Sequence, residues 1–265
     1  MAHTYRLEGG GAAVLGSIQP QPLPNEADGT IALDAIANAI KPNDFHFAMT
    51  RLLALENTFN GLVLPDSYLE AATGLARSRG LATHLDGARL MNAAAASNRD
   101  AAWIAGQFDT VSLCLSKGLG APVGSILVGP KAFIEKARRI RKMLGGGMRQ
   151  TGVIAAAAIY ALEHNVARLG EDHRRAAALA EVLGRFPELG AGPARTNMVF
   201  MAPKAFDTAA FAAFLRERGI AVSGRYGTLR WVTHLDVDDA SVARVAETCE
   251  RFFDGQQAPA AKARA

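Results

Sequence analysis

Lys117 is the residue of this chain whose type and setting most suggest covalent chemistry. It follows the apolar stretch 110–115 (TVSLCL) and stands in the glycine-rich run Ser116-Lys117-Gly118-Leu119-Gly120-Ala121-Pro122-Val123-Gly124. A lysine amine held where a strand stops is partly desolvated, which favours the neutral form that condenses with a carbonyl. The competing reading is a lysine that snorkels from a strand end into solvent. The glycines follow G-x-G-x-x-x-G, which is neither the dinucleotide fingerprint nor a Walker loop.

Asp86 is the second such residue, in His84-Leu85-Asp86-Gly87-Ala88-Arg89. It ends the short apolar stretch 82–86, and on a strand residues 84 and 86 share a face. A carboxylate there can pair with a cation of a ligand, or it can cap the helix that follows. His84 and Asp86 could begin a metal site, but no further residues with ligand spacing follow, so no metal is expected. A lysine and an aspartate at the ends of two strands suit pyridoxal phosphate. That cofactor needs an amine for its aldehyde and an acid to keep its ring nitrogen protonated.

The elements that must position these residues alternate between strand and helix. Compact apolar runs at 50–55, 82–86, 110–115 and 125–128 read as strands. Helical patterns cover 33–40, 65–79, 130–143, 150–164 and 166–186, and 150–164 is so rich in Ala and Ile that it reads as buried. The implied architecture is α/β, a mostly parallel sheet with helices on both faces, where ligands sit beyond the carboxyl ends of the strands. After Pro187 the texture changes to a smaller α+β unit. Strands are expected at 198–201, near 220–223 and at 229–233, with helices at 207–218 and 238–253. The expected organisation is a large cofactor domain over 1–165, a small C-terminal domain over 166–253 and a frayed tail over 254–265.

Composition narrows the classes. At 265 residues the chain can bury a core without disulfides or metals. Its net charge is +4 and aromatics are 7%, too few beside the basic residues for a nucleic-acid binder. The two cysteines, Cys114 and Cys249, cannot build a disulfide framework and read as reduced thiols in a cytoplasmic protein. No apolar run is long enough for a membrane span, and the first residues lack the core of a signal peptide.

Three stretches, HLDGARLMNAA, SLCLSKGLGAPVGSILVG and RKMLGGGMRQTGVIAAAAIYAL, make the chain resemble the low-specificity threonine aldolases. These belong to the β-eliminating lyase group of fold-type-I pyridoxal-phosphate enzymes. The opening AHTYRLEGGGAAVLGSIQPQPLP, LENTFNGLVLP, NVARLGEDHRRA and LRWVTHLDV add to the resemblance, which spans 2–253. It implies retro-aldol cleavage of L-threonine, L-allo-threonine or related β-hydroxy-α-amino acids to glycine and an aldehyde, in a homo-oligomer. It further implies that Lys117 binds the cofactor covalently and that Asp86 partners its ring nitrogen. Arg89 would lie near the cofactor's phenolic oxygen and the substrate carboxylate, and Arg230 would clamp that carboxylate. His3 would stack on the cofactor ring. Lys142 and Arg149 flank Gly145-Gly146-Gly147 in a segment, 131–149, holding seven basic residues and one acid. The resemblance assigns Arg149 to the phosphate site.

Two departures from the family pattern stand out. Phe59 occupies the place of a histidine near the substrate's β-hydroxyl, and a phenyl ring neither gives nor takes a proton. Another group or a water would then take that proton, or the preferred β-substituent differs. The family's N-terminal portion, with its phosphate-binding turn, has no counterpart ahead of Met1. The alternative expectation is therefore an impaired or inactive remnant of the same fold.

Overall fold

The computed structural model describes residues 2–203, 207–225 and 228–257. The chain divides into two compact units, Met1–Ala167 and Arg168–Ala265.

The first unit opens with two short helices, α1 (His3–Arg6) and α2 (Gly11–Gly16), followed by α3 (Leu33–Ala39). Then come β1 (Leu52–Glu56), α4 (Asp66–Ser78), β2 (Ala82–Asp86), α5 (Leu90–Ser97), α6 (Ala101–Gly106) and β3 (Thr110–Cys114). The unit closes with β4 (Ser125–Val128), α7 (Lys131–Met143) and α8 (Gly152–His164). The four strands lie in chain order, β1, β2 and β3 parallel and β4 antiparallel to β3. Alternate residues Leu53, Leu55, Leu85, Val111 and Leu113 are buried, as the period-two pleat requires. Helix α4 buries Leu69, Ala72, Thr73 and Ala76, the i, i+3, i+4, i+7 stripe of an amphipathic helix, and packs on β1 and β2. Burying a leucine such as Leu69 contributes about 1.5–3 kcal/mol. Gly80, at φ +70°, turns the chain out of the helix into β2.

Two features of this unit differ from the sequence expectation. Helices α1, α2, α5 and α6 have four to eight residues, fewer than the two or three turns that make a periodic pattern visible. Helix α8 is not buried: only Ala158 and Ala161 are, while Val153 is 80% exposed and Tyr160 62%. Its apolar composition reflects an uncovered face, and α7 and β4 share that character. No residue of α7 is buried, and Ile126, Leu127 and Val128 of β4 are exposed. Leu127, Phe133, Ala137, Ile140 and Leu144 line a groove of about 570 Å³.

The second unit contains α9 (Leu169–Gly184), a 3-10 turn (Pro187–Leu189), β5 (Met198–Met201), α10 (Thr208–Glu217), β6 (Ser223–Arg225), β7 (Thr228–Val232) and α11 (Asp239–Gln257). The antiparallel sheet runs β5-β7-β6. Its core packs Leu179 and Leu183 of α9, Val199 and Met201 of β5, Phe211 of α10 and Trp231 of β7. Asp207 caps α10 by accepting from the N–H groups of Ala209 and Ala210. Arg174 and Arg175 of α9 both reach Asp239, at 2.8 and 3.1 Å. The strand expected near 220–223 lies later, because Ile220 is drawn into the helix-packed core. Helix α11 runs through the first residues of the expected tail to Gln257, and 258–265 lie outside the described residues.

Candidate active site

The parallel register sets Glu56 of β1 beside Asp86 of β2, and Asp86 beside Ser112 of β3. The sheet's carboxyl edge is thus polar, which parallel strands allow because their backbone pairing ends there. Gly87 follows Asp86 for a steric reason: a Cβ there would meet the Ser112 carbonyl oxygen at 2.9 Å. That approach lets the Gly87 N–H donate to the same oxygen at 2.8 Å. The Ala88 N–H donates to Asp86 Oδ1 at 3.1 Å, a local turn bond. Asp86 is therefore not the N-cap of α5; that position is held by Arg89.

Lys117 lies beyond the end of β3, in a loop closed on itself. The Leu115 N–H donates to Gly124 O and the Ala121 N–H to Leu115 O, each at 3.0 Å. The Gly120 N–H donates to Lys117 O at 2.9 Å, with Gly120 in the left-handed region at φ +76°. Asn165, just past α8, donates to Leu119 O at 2.7 Å and pins the loop from outside. The loop backbone is fixed while the Lys117 side chain is exposed.

Burial pushes the Asp86 carboxyl above the usual carboxylate range, and the neighbouring Glu56 charge adds to that. The Ala88 N–H, Lys117 and His3 act the other way, in that order. The register of β2 and β3 brings Asp86 and the loop that carries Lys117 to one sheet edge. His3 is itself tied to Glu56: its Nδ1 lies 2.7 Å from Oε1, and its backbone N–H donates to Oε2 at 3.0 Å. His84, one pleat behind Asp86, bonds Thr110 Oγ1 at 2.8 Å, and burial lowers its pKa.

Arg89 follows Asp86 by three residues on the same turn and is half-buried. Phe59 is buried, and its side chain lies against Gly29. The Phe59 and Leu62 backbones exchange hydrogen bonds of 2.8 and 2.9 Å around Asn60 and Gly61, both at positive φ. Arg149 is exposed on the loop between α7 and α8 and makes no hydrogen bond or ion pair to the cluster among the described residues. The Lys142 side chain folds over Gly147 in that loop. Arg230 is in the second unit, on the sheet face opposite the core residues Leu229 and Trp231, with its Nε 3.3 Å from Ser223 Oγ.

Sequence reasoning passed over Glu56 and Asn57. Both sit where β1 ends, the same signal that marks Asp86, although in LENTFNG the departure from the family pattern falls on Phe59. The Asn57 N–H donates to Asp86 O at 3.0 Å, and its Oδ1 accepts from the Leu64 N–H. Asn57 Nδ2 and Thr58 Oγ1 are buried without partners among the described residues. Buried polar atoms left over at a strand edge fit a polar ligand. The donor set fits pyridoxal phosphate in particular: an exposed amine on a fixed loop, and a carboxyl whose burial and like-charged neighbour an added ring cation would offset.

Residues 1–205 match the beta-eliminating lyase family. The chain is 52% identical over 254 residues to the low specificity L-threonine aldolase of Escherichia coli K12, covering 95% of this chain and 75% of that relative. The solved structure of Leishmania major threonine aldolase superposes with a TM-score of 0.74 at 21% identity, covering 95% of this chain and 75% of the other. Sphingomonas wittichii serine palmitoyltransferase superposes at 0.61 with 18% identity, covering 85% and 59%. These likenesses bear out the fold-type-I α/β architecture.

Proposed function

This chain belongs to the beta-eliminating lyase family, and on that premise we propose that it is a pyridoxal-phosphate-dependent aldehyde-lyase. Its substrates are L-threonine, L-allo-threonine or related β-hydroxy-α-amino acids, and its products glycine and an aldehyde. The observation that carries this reading is the placement of Asp86 and the Lys117 loop at the carboxyl ends of the adjacent parallel strands β2 and β3, in a chain that matches this family.

When bound, the cofactor supplies a sink for the electron pair left on the α-carbon as the Cα–Cβ bond breaks. Lys117 is the amine that would hold its aldehyde carbon, and Asp86 would partner its ring nitrogen. A desolvated carboxylate gains most from an adjacent cation, which suits Asp86 to that role. His3 would help to hold the cofactor ring and Arg149 its phosphate. Arg89 and Arg230 are each candidates for the substrate carboxylate, for which a guanidinium fork is well shaped. Fixing the carboxylate decides which bond at the α-carbon is presented for cleavage. Phe59 moves no proton, so the β-hydroxyl proton goes to another group or to water.

The first unit is assigned cofactor binding, and the second carries Arg230. The uncovered apolar faces of β4, α7 and α8 support association into a homo-oligomer. Cys114 and Cys249 are free thiols, which supports a reducing, cytoplasmic setting. No helix among the described residues is long and apolar enough to cross a membrane.

The test is product formation. The purified chain supplied with pyridoxal phosphate should release acetaldehyde and glycine in equal amounts from L-threonine, the aldehyde being followed by coupled NADH oxidation. A chain that takes up the cofactor yet releases no aldehyde from L-threonine, L-allo-threonine or phenylserine contradicts the reading.

A further inference from the structure

The Glu56 side chain is only 7% exposed, yet both of its oxygens are directed at one residue. Oε2 accepts from the backbone N–H of His3, and Oε1 meets the ring at Nδ1. Helix α1 has four residues, none buried, and no side-chain cap of its own. The carboxylate therefore fixes both the main chain and the ring of its first residue. A buried carboxylate is costly unless hydrogen-bonded, and His3 supplies these bonds across 53 residues of sequence.

The bond also sets the chemistry of the ring. An ionised carboxylate only accepts hydrogen bonds, so the hydrogen between the two groups belongs to Nδ1. In the neutral ring, Nε2 then keeps the lone pair. We propose that Glu56 is a positioning residue for the lyase reaction, holding His3 in place and in the Nδ1–H form, with the lone pair on Nε2. This inference rests on the lyase reading above. Glu56 acts through His3 and also stands beside Asp86, where its charge opposes ionisation of that carboxyl. The cluster is thus an ordered set, with Glu56 setting His3 on one side and biasing Asp86 on the other. A carboxylate that orients an imidazole in this way is a recurring means of fixing a tautomer.

The experiment reads the ring directly. The full chain, labelled with 15N-histidine and free of cofactor, is examined by long-range 1H–15N correlation, with His3→Ala used to assign the His3 signals. The wild type should show His3 protonated at Nδ1, and Glu56→Ala should move it to the Nε2–H form. Glu56→Gln keeps one acceptor and should retain the wild-type form in part, which separates positioning from loss of folding. With pyridoxal phosphate and L-threonine, Glu56→Ala should lower kcat as far as His3→Ala does and change KM far less. In a His3→Ala background the same substitution should lower kcat no further. A wild-type His3 found as the Nε2–H form, or an effect of Glu56→Ala that persists undiminished without His3, overturns the proposal. The tautomer is read without cofactor, so a chain that releases no aldehyde overturns the lyase reading and leaves the result on His3 to stand or fall by itself.

Discussion

Glu56 and Asp86 are register partners at the carboxyl ends of adjacent parallel strands, so two carboxyl groups stand side by side at one sheet edge. Burial is the first cause of the raised Asp86 pKa and Glu56 the second. A carboxyl raised in the folded state stabilises the fold below the ordinary carboxylate range, and that contribution is lost as pH rises through the raised value. At neutral pH the Asp86 charge therefore weighs against the cofactor-free fold. Asp86→Asn should raise the cofactor-free Tm at pH 7 and raise it by less at pH 4. The same variant should lose at least about 10²-fold in aldehyde release. Calorimetry at the two pH values and the coupled assay check the two halves.

Arg230 presents its guanidinium on the open face of the second unit's sheet, lightly held by Ser223. A charge-assisted pair with a substrate carboxylate contributes about 1.5–3 kcal/mol, so Arg230→Ala should raise KM for L-threonine roughly 10- to 100-fold. The visible absorbance of the bound cofactor should be unchanged, because the role assigned to Arg230 is toward substrate. Loss of cofactor absorbance at wild-type KM would reverse that assignment.

The two cysteines should behave differently. Burial pushes the Cys249 thiol up to about 12, so it is protonated and enclosed at neutral pH. Cys114 is half-buried at the end of β3, with its Sγ 3.5 Å from Ser116 Oγ. An aromatic disulfide reagent at pH 8 should titrate one thiol in the native chain and two in denaturant, with the first mapped to Cys114 by peptide analysis.

Much of this organisation is legible before any coordinates. The compact apolar runs ending at Asp86 and before Lys117 announce strands, and both residues lie at the carboxyl ends where such sheets bind ligands. The long amphipathic stripe of α4 is equally plain. What stays hidden depends on contacts distant in sequence. Without the family resemblance His3 reads as a terminal residue, and what holds it, Glu56, lies 53 positions on. The apolar run in α8 reads as core, since composition reports burial without saying whether the covering surface belongs to the same chain. Phe59 packs against Gly29, far earlier in the chain, which local patterning does not reveal.

The central claim, that Lys117 holds the cofactor in the cluster containing Asp86, is open to one direct measurement. The chain is incubated with pyridoxal phosphate, reduced with borohydride, digested and mapped by mass spectrometry. The expected result is a single pyridoxyl-phosphate adduct on the peptide containing Lys117, absent in Lys117→Ala along with aldehyde release. Stoichiometric label on Lys142 or another lysine, with Lys117 unmodified, would contradict the account.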